Sequence, residues 1–164
     1  MAYQVRPAVP ADAERIAKLH VSTWQETYAH LLPAGFFNEE HSSARRRMWD
    51  HILGNGREEW SVYVASEAHD LIGFAMSGPS IGDKGEQLPR ERQLFSLYVA
   101  KAVHGTGVGQ ALLDHVLGDS PAMLWVAAQN PRAIAFYRRN GFEFDGVEKV
   151  DPVAPLITDA RMLR

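Results

Sequence analysis

The chain has no cysteine, little net charge and no long run of apolar residues. Without cysteine it cannot carry disulfides, thiolate nucleophiles, iron–sulfur clusters or cysteine-ligated zinc. Its 17 basic and 20 acidic residues leave a net charge of −3, so we expect no basic face that binds DNA or RNA. No segment approaches the roughly 18 apolar residues of a membrane span, and the N-terminus lacks the apolar core of a signal peptide. We therefore expect a soluble, cytoplasmic protein without a nucleic-acid or membrane partner.

The length of 164 residues, with 46% of them hydrophobic, predicts a single domain that spans residues 1–164. A domain of this size buries roughly 70% of the surface that its unfolded chain exposes, so it needs no crosslink to fold. The 7 histidines show neither the close spacing nor the i, i+4 spacing of metal ligands, and we expect no metal site. The composition is compatible with a monomer or a homodimer.

Hydrophobic periodicity predicts the order strand, helix, helix, strand, strand, strand, helix, strand, helix, strand, strand. Strands are expected at residues 3–6, 60–65, 71–76, 93–100, 122–127, 142–144 and 156–163. Helices are expected to begin near Pro10, Glu40, Val108 and Pro131, with stop signals at Gly54-Asn55-Gly56 after the second and at Asn140-Gly141 after the fourth. This order, with no internal repeat, predicts one domain of the α+β class.

A glycine-rich turn, His104-Gly105-Thr106-Gly107-Val108-Gly109, separates a predicted strand from a predicted helix. Glycine lets the backbone turn sharply and expose its amides, and the free N–H groups of the following helix favour an anion such as phosphate or pyrophosphate. The glycine spacing does not match Gly-x-Gly-x-x-Gly, and no Gly-Lys-Ser/Thr follows, which argues against both common nucleotide motifs. Taken alone, the turn is equally compatible with a purely structural role.

Two segments together resemble the GNAT superfamily of N-acetyltransferases. Residues 94–113 are similar to its acyl-coenzyme A segment, in which Gln/Arg-x-x-Gly-x-Gly/Ala follows a strand. Gly107 and Gly109 take the glycine positions, and His104 stands where Gln or Arg is expected. Residues 125–142 are similar to the strand, asparagine, helix and Asn-Gly-Phe of the second signature. The resemblance covers essentially the whole chain, and the opening segment is similar to that of small bacterial members.

The resemblance implies a mixed, mostly antiparallel central sheet flanked by helices, in which two central parallel strands splay apart. In the family, the pantetheine arm of acetyl-CoA binds the main chain of the first of these strands, which here holds Leu97, Tyr98 and Val99. Asn130 has two interpretations, as an N-cap of its helix or, by resemblance, as a hydrogen-bond partner of the pantetheine region. The resemblance assigns pyrophosphate binding to the turn and the helix start: His104, Gly105, Thr106, Gly107, Val108, Gly109 and Gln110.

The activity that the resemblance implies is transfer of an acetyl group from acetyl-CoA to a primary amine. The amine belongs to a small molecule, a peptide or a protein, and it attacks directly, through a tetrahedral intermediate. Tyr137 matches the family's general acid, which contacts the cofactor and protonates the departing thiolate. A phenol has a pKa of about 10 and a thiol of about 8.5, so this donor must be held close to the sulfur. The alternative is a tyrosine whose ring packs in the core.

The sequence gives weaker signals for the general base that takes the amine's proton and for the pocket that binds the acceptor amine. Many family members carry a glutamate on the strand that holds the pantetheine, but residues 94–97 contain no carboxylate. Glu26 and Glu91 are the nearest candidates for the base, and a chain of water molecules is an equal alternative. Trp24 and Tyr28 are predicted to wall the acceptor pocket, with packing against the sheet as the alternative. The missing carboxylate also leaves open a catalytically silent domain that binds acyl-CoA as a sensor or partner.

Overall fold

A computed structural model of the chain describes residues 2–55 and 58–164. The strands are β1 (Gln4–Pro7), β2 (Ser61–Glu67), β3 (Asp70–Pro79), β4 (Arg92–Val99), β5 (Met123–Ala127), β6 (Glu143–Val150) and β7 (Thr158–Leu163). The α-helices are α1 (Ala13–Tyr28), α2 (Glu39–Gly54), α3 (Val108–Val116) and α4 (Pro131–Arg139). No helix in the described ranges combines the length and the apolar character needed to cross a bilayer.

The elements follow the predicted order, and the differences lie at their ends. Pro10–Asp12 forms a short 3-10 turn, so α1 begins at Ala13 rather than at the proline. β6 runs to Val150, although alternation predicts only residues 142–144, because every residue of β6 is exposed and no apolar periodicity marks the strand. Gly56, part of the predicted stop signal after α2, lies outside the described residues.

The strands form one sheet in the order β1-β2-β3-β4-β5-β7-β6. Every neighbouring pair among the described strands is antiparallel except β4 and β5, which are parallel. These two strands pair only at Gln93↔Met123 and Leu94↔Leu124, so they diverge beyond that point. The predicted fold class, a mostly antiparallel sheet with two splayed parallel strands, is confirmed.

A β-bulge accounts for the divergence. Met76 of β3 faces Ser96 of β4. The next residue of β3, Ser77, faces Leu94, which leaves Phe95 as an extra residue on β4. A bulge bends its strand and increases the local twist, and Phe95 directly follows the last residue of β4 that pairs with β5. From Phe95 onwards, the edge of β4 that faces β5 is therefore free of strand pairing.

Helices cover the sheet on both faces. α1 and α2 pack on one face, where Phe74 of β3 is buried in the same cluster as Ile16 and Trp49. α3 packs on the other face, where the neighbouring Ala75 shares a cluster with Leu112. Because successive side chains of a strand point to opposite faces, β3 divides the core into two layers.

A buried histidine joins α1 to α2 beneath the sheet. The Nδ1 atom of His20 accepts a hydrogen bond from the Nε1–H of Trp49 at 3.2 Å, and its imidazole contacts the rings of Phe74 and Tyr98. Burial and, to a smaller extent, the nearby charges of Arg45 and His41 together lower the pKa of His20 to about 3. His20 is therefore neutral in the folded protein.

This burial predicts a pH-dependent loss of stability. Above pH 6.5 His20 is neutral in both the folded and the unfolded state. At lower pH the imidazole of the unfolded chain binds a proton, whereas the buried imidazole of the folded protein stays neutral, so the folded state loses stability. We expect the stability advantage of the wild type over His20→Asn to shrink by about 2–3 kcal/mol between pH 7.5 and pH 4.5, as urea denaturation measures it. A constant difference across that range would show that His20 takes up its proton in the folded state.

Candidate active site

A cleft of about 550 Å³ opens where β4 and β5 diverge. Its walls come from β4, the glycine turn, the C-terminal half of α1, β5, the start of β7 and α4. Most of the residues predicted for the site line it: Trp24, Tyr28, Leu97, Tyr98, Val99, His104, Gly105, Gly107, Gly109, Gln110, Asn130 and Tyr137. Thr106 and Val108 do not line it, and the Val108 side chain is buried in the core below the turn.

The glycine turn presents a row of free main-chain amides. Gly105 and Gly107 have φ angles of +76° and +91°, a conformation that glycine adopts without steric cost. Gly107 immediately precedes α3, whose first N–H groups have no carbonyl one turn back to bind. Within the described residues, none of the amides from residue 105 to residue 110 has a hydrogen-bond acceptor. Free amides at a helix start form a binding site for an anion.

Side chains around the turn hold its shape. The hydroxyl of Thr106 donates to the carbonyl of Val103 at 2.6 Å. The amide group of Gln110 donates to Asp114 and to the Oδ1 atom of Asn140, each at 2.8 Å. The second of these bonds ties the start of α3 to the end of α4. Thr106 and Gln110 thus position the turn, and its main-chain amides remain free.

The free edge of β4 offers main-chain groups to the cleft. The amide of Ala100 donates to Ile72 of β3 at 2.9 Å, and main-chain groups alternate in direction along a strand. The groups of Leu97 and Val99 therefore point into the gap towards β5, and those of Tyr98 point to β3. The carbonyl of Val99 accepts a hydrogen bond from Nε2 of His104 at 3.0 Å, which requires the proton on that nitrogen.

Tyr137 lines the cleft from α4 and is only 8% exposed. Its hydroxyl has no hydrogen-bond partner among the described residues. Burial raises the pKa of Tyr137 well above its usual value, and the nearby phenols of Tyr98 and Tyr28 raise it further. The group therefore keeps its proton and has it available for a ligand in the cleft.

Asn130 uses both ends of its side chain inside the protein. Its Oδ1 accepts from the amide of Ala133 at 3.1 Å, so the predicted N-cap of α4 is confirmed. Its Nδ2 donates to the hydroxyl of Tyr28 at 3.0 Å, which joins α4 to α1 across the cleft.

Aromatic rings form the wall of the cleft on the α1 side. Trp24 and Tyr28 lie one helical turn apart, and their ring centroids are 5.1 Å apart in an edge-to-face arrangement. The indole of Trp24 donates to the hydroxyl of Tyr98 at 3.0 Å, and its other side stacks on Phe36. The structure thus brings the two predicted acceptor-pocket residues together at the cleft.

Neither predicted base candidate lines the cleft. Glu26 accepts a hydrogen bond from the amide of Lys101 at 3.3 Å, and Glu91 is exposed just before β4. Three charged lining residues were not predicted from the sequence: Arg132, Arg139 and Asp159. The two arginines look like ordinary exposed helix residues. Asp159 shares β7 with the polar residues Thr158 and Arg161, so no signal in the sequence marks it.

Arg139 lies close to the glycine turn. Its guanidinium is 5.9 Å from the ring centroid of Phe136, and that ring lies beside Gly109, where a Cβ would come within 3.7 Å of it. The described residues contain no group of three or more histidine, aspartate or glutamate side chains arranged to hold a metal ion.

A sequence profile of the acetyltransferase (GNAT) domain matches residues 58–144. The chain belongs to the GNAT family of acetyltransferases. The family predicted from the two signatures and the predicted enzyme class, an N-acetyltransferase, are confirmed. Relatives of this GNAT enzyme match it over most of its length.

One relative is the probable N-acetyltransferase Rv2775 of Mycobacterium tuberculosis, 28% identical over 87% of this chain and 81% of its own. Another is the uncharacterized N-acetyltransferase YuaI of Bacillus subtilis, 31% identical over 87% of this chain and 86% of its own. Among solved structures, the PaiA N-acetyltransferase of Thermoplasma acidophilum in complex with coenzyme A superposes with a TM-score of 0.68. It is 20% identical and covers 100% of this chain and 99% of its own, which shows a shared fold.

The double role of Asn130 predicts a graded loss of stability. Asn130→Ser keeps a cap for α4 but cannot reach Tyr28, so we expect a loss of about 1 kcal/mol. Asn130→Ala loses the cap as well, at a further cost of about 1 kcal/mol. Urea denaturation of the three proteins measures both steps. Equal stabilities of the serine and alanine variants would show that the cap contributes nothing.

Proposed function

We propose that this GNAT enzyme transfers an acetyl group from acetyl-CoA to a primary amine by direct attack of the amine on the thioester. The observation that carries the proposal is the arrangement of the cleft. The free amides of the glycine turn, the free edge of β4 and the unpaired hydroxyl of Tyr137 all border the same cleft.

The cleft suits each part of acetyl-CoA. The amides of the glycine turn would bind the pyrophosphate, with the exposed Arg132 and Arg139 adding positive charge. The main-chain groups of Leu97 and Val99 would pair with the amides of the pantetheine arm, as a neighbouring strand does. Asn130 has both ends of its side chain engaged within the protein, so we assign it to the shape of the cleft.

Transfer requires bond making at carbon and bond breaking at sulfur. The amine nitrogen forms a bond to the thioester carbon, and the carbon–sulfur bond breaks as the carbonyl reforms. A main-chain N–H of β4, from Leu97 or Val99, would stabilise the oxyanion that forms in between. Tyr137, which burial keeps protonated, would donate its proton to the departing sulfur. Because Glu26 and Glu91 do not line the cleft, we assign removal of the amine's proton to water.

The role of Tyr137 predicts a loss of rate without a loss of binding. We expect Tyr137→Phe to lower kcat by roughly 100-fold, the low end of general-acid effects, because the sulfur then leaves unprotonated. The dissociation constant of acetyl-CoA, measured by calorimetry, should stay nearly the same. Release of free thiol measures the rate, and the absence of cysteine from the chain removes any protein background.

Tyr63→Phe is the matched control, because Tyr63 lies outside the cleft against His115. It should leave both quantities unchanged. Full turnover by Tyr137→Phe would remove Tyr137 from the mechanism. A wild type that binds acetyl-CoA but releases no thiol with any amine would instead support the catalytically silent domain.

The glycine turn predicts a specific loss of cofactor binding. Acetyl-CoA at about 100 times its dissociation constant should raise the unfolding temperature of the wild type by roughly 5–10 °C, whereas NADH and ATP should not. Gly107→Val should abolish this shift, because a bulky side chain would crowd the amides. Gly85→Val is the control, since Gly85 has a similar φ of +84° with nothing within 4 Å of its Cβ position.

Both variants should lose about 1–2 kcal/mol of stability from the left-handed backbone. Only Gly107→Val should lose the response to acetyl-CoA. No response in the wild type at millimolar acetyl-CoA would refute the proposed function.

A further inference from the structure

Asp159 is the one acidic residue, among those described, that lines the cleft. It lies on β7 opposite Ala127 of β5 and is half-buried. Its carboxylate forms no hydrogen bond and no ion pair with any described residue. Burial raises the pKa of Asp159, the charge of Asp151 raises it further, and that of Lys149 lowers it. Lys149 of β6 faces Asp159 across the two strands. Its Nζ atom lies 4.1 Å from the ring centroid of Trp125 and forms no ion pair with the carboxylate.

The carboxylate lies beside the aromatic wall of the cleft. Ile157 and Asp159 both line the cleft, and Ile157 is buried in one cluster with Tyr28, against which Trp24 packs. Burial is the main reason that the pKa values of Tyr28 and Tyr98 are raised, and the charge of Asp159 adds to both. Asp159 is therefore close to both phenols.

An unpaired carboxylate next to aromatic rings matches one chemical group, an alkylammonium ion. The carboxylate supplies the counter-charge, and the rings of Trp24 and Tyr28 supply cation–π contact. An uncharged acceptor in the same place would leave the half-buried charge of Asp159 compensated, among the described residues, only by Lys149, which forms no ion pair with it.

Asp159 and Tyr137 lie near the same two phenols. After burial, the nearby phenols of Tyr98 and Tyr28 are the groups that raise the pKa of Tyr137. The charge of Asp159 acts on the same two phenols. Tyr98 and Tyr28 therefore lie near both Tyr137 and Asp159. A carboxylate paired with the reacting ammonium would hold its proton in place and oppose attack. A second ammonium on the same acceptor would gain the ion pair and leave the reacting amine free.

We propose that the acceptor of this enzyme is a dication, a primary amine with a second ammonium group that binds to Asp159 beside Trp24 and Tyr28. This inference rests on the proposed acetyl transfer and names its substrate class. Asp159 is in this role a specificity-determining residue, and the proton of the reacting amine still leaves through water.

The test compares amines that differ only in the second charge. Diamines with three to six carbons are paired with the monoamines of the same length, and kcat/KM is measured at neutral pH for the wild type and Asp159→Asn. We expect the wild type to favour the best diamine by about tenfold or more, the equivalent of one modest ion pair. In Asp159→Asn the preference should fall to about twofold, which reflects two equivalent amino groups, because kcat/KM falls more for the diamine than for the monoamine.

Asp151→Asn is the matched control, because it removes the same charge from a neighbouring position that does not line the cleft. It should retain the preference for the diamine. Asp159→Asn removes no contact within the described residues, so its unfolding temperature should equal or exceed that of the wild type. No preference in the wild type, an undiminished preference in Asp159→Asn, or an equal loss for both amines would each overturn the proposal.

A binding measurement separates this inference from the proposed function. Calorimetry of the best diamine with the wild type loaded with coenzyme A should show binding that Asp159→Asn weakens about tenfold. Binding of acetyl-CoA without binding of any diamine would overturn the role of Asp159 alone. Failure to bind acetyl-CoA would refute the transferase proposal itself.

Discussion

The extra residue at Phe95 is the constraint on which the site depends. An intact parallel pair would satisfy the main-chain groups of β4 with those of β5, and no cleft would exist. The bulge bends β4 away after Leu94, which opens the space and leaves the main-chain groups of Leu97 and the N–H of Val99 unpaired and facing it. The start of α3 has the same property, because its amides also lack partners among the described residues. The edge of β4 and the start of α3 can thus both bind a ligand through the main chain, with little demand on side-chain identity.

The parts of the site that follow from local backbone geometry were predictable. Positive φ angles at Gly105 and Gly107 require glycine, and the start of α4 requires a cap such as Asn130 followed by proline. The order of strands and helices along the chain followed from apolar periodicity. The splay of the central strands came from the family resemblance, since one bulged residue leaves no mark in a strand in which polar and apolar residues do not alternate.

The charged residues of the cleft could not be predicted, because their positions depend on pairing between distant segments. Asp159 reaches the cleft because β7 pairs with β5, which brings it opposite Ala127. Glu26 is one of the two carboxylates that the sequence offers as candidates for the base, and it lies between Trp24 and Tyr28 on α1. It lies two residues from each, about half a turn away on a helix, so it points away from the face that those two share. Its carboxylate instead binds the amide of Lys101.

The bond from Gln110 to Asn140 has a consequence for which thioesters can react. It couples the glycine turn to the end of α4, and the same helix holds Tyr137 two residues before its end. A second bond, from Asn140 to the carbonyl of Phe136, stiffens this connection. The distance between the turn and the Tyr137 hydroxyl is thereby fixed. Under the proposed function, a short thioester without the nucleotide could not contact both, so the fold would select for the length of the carrier arm.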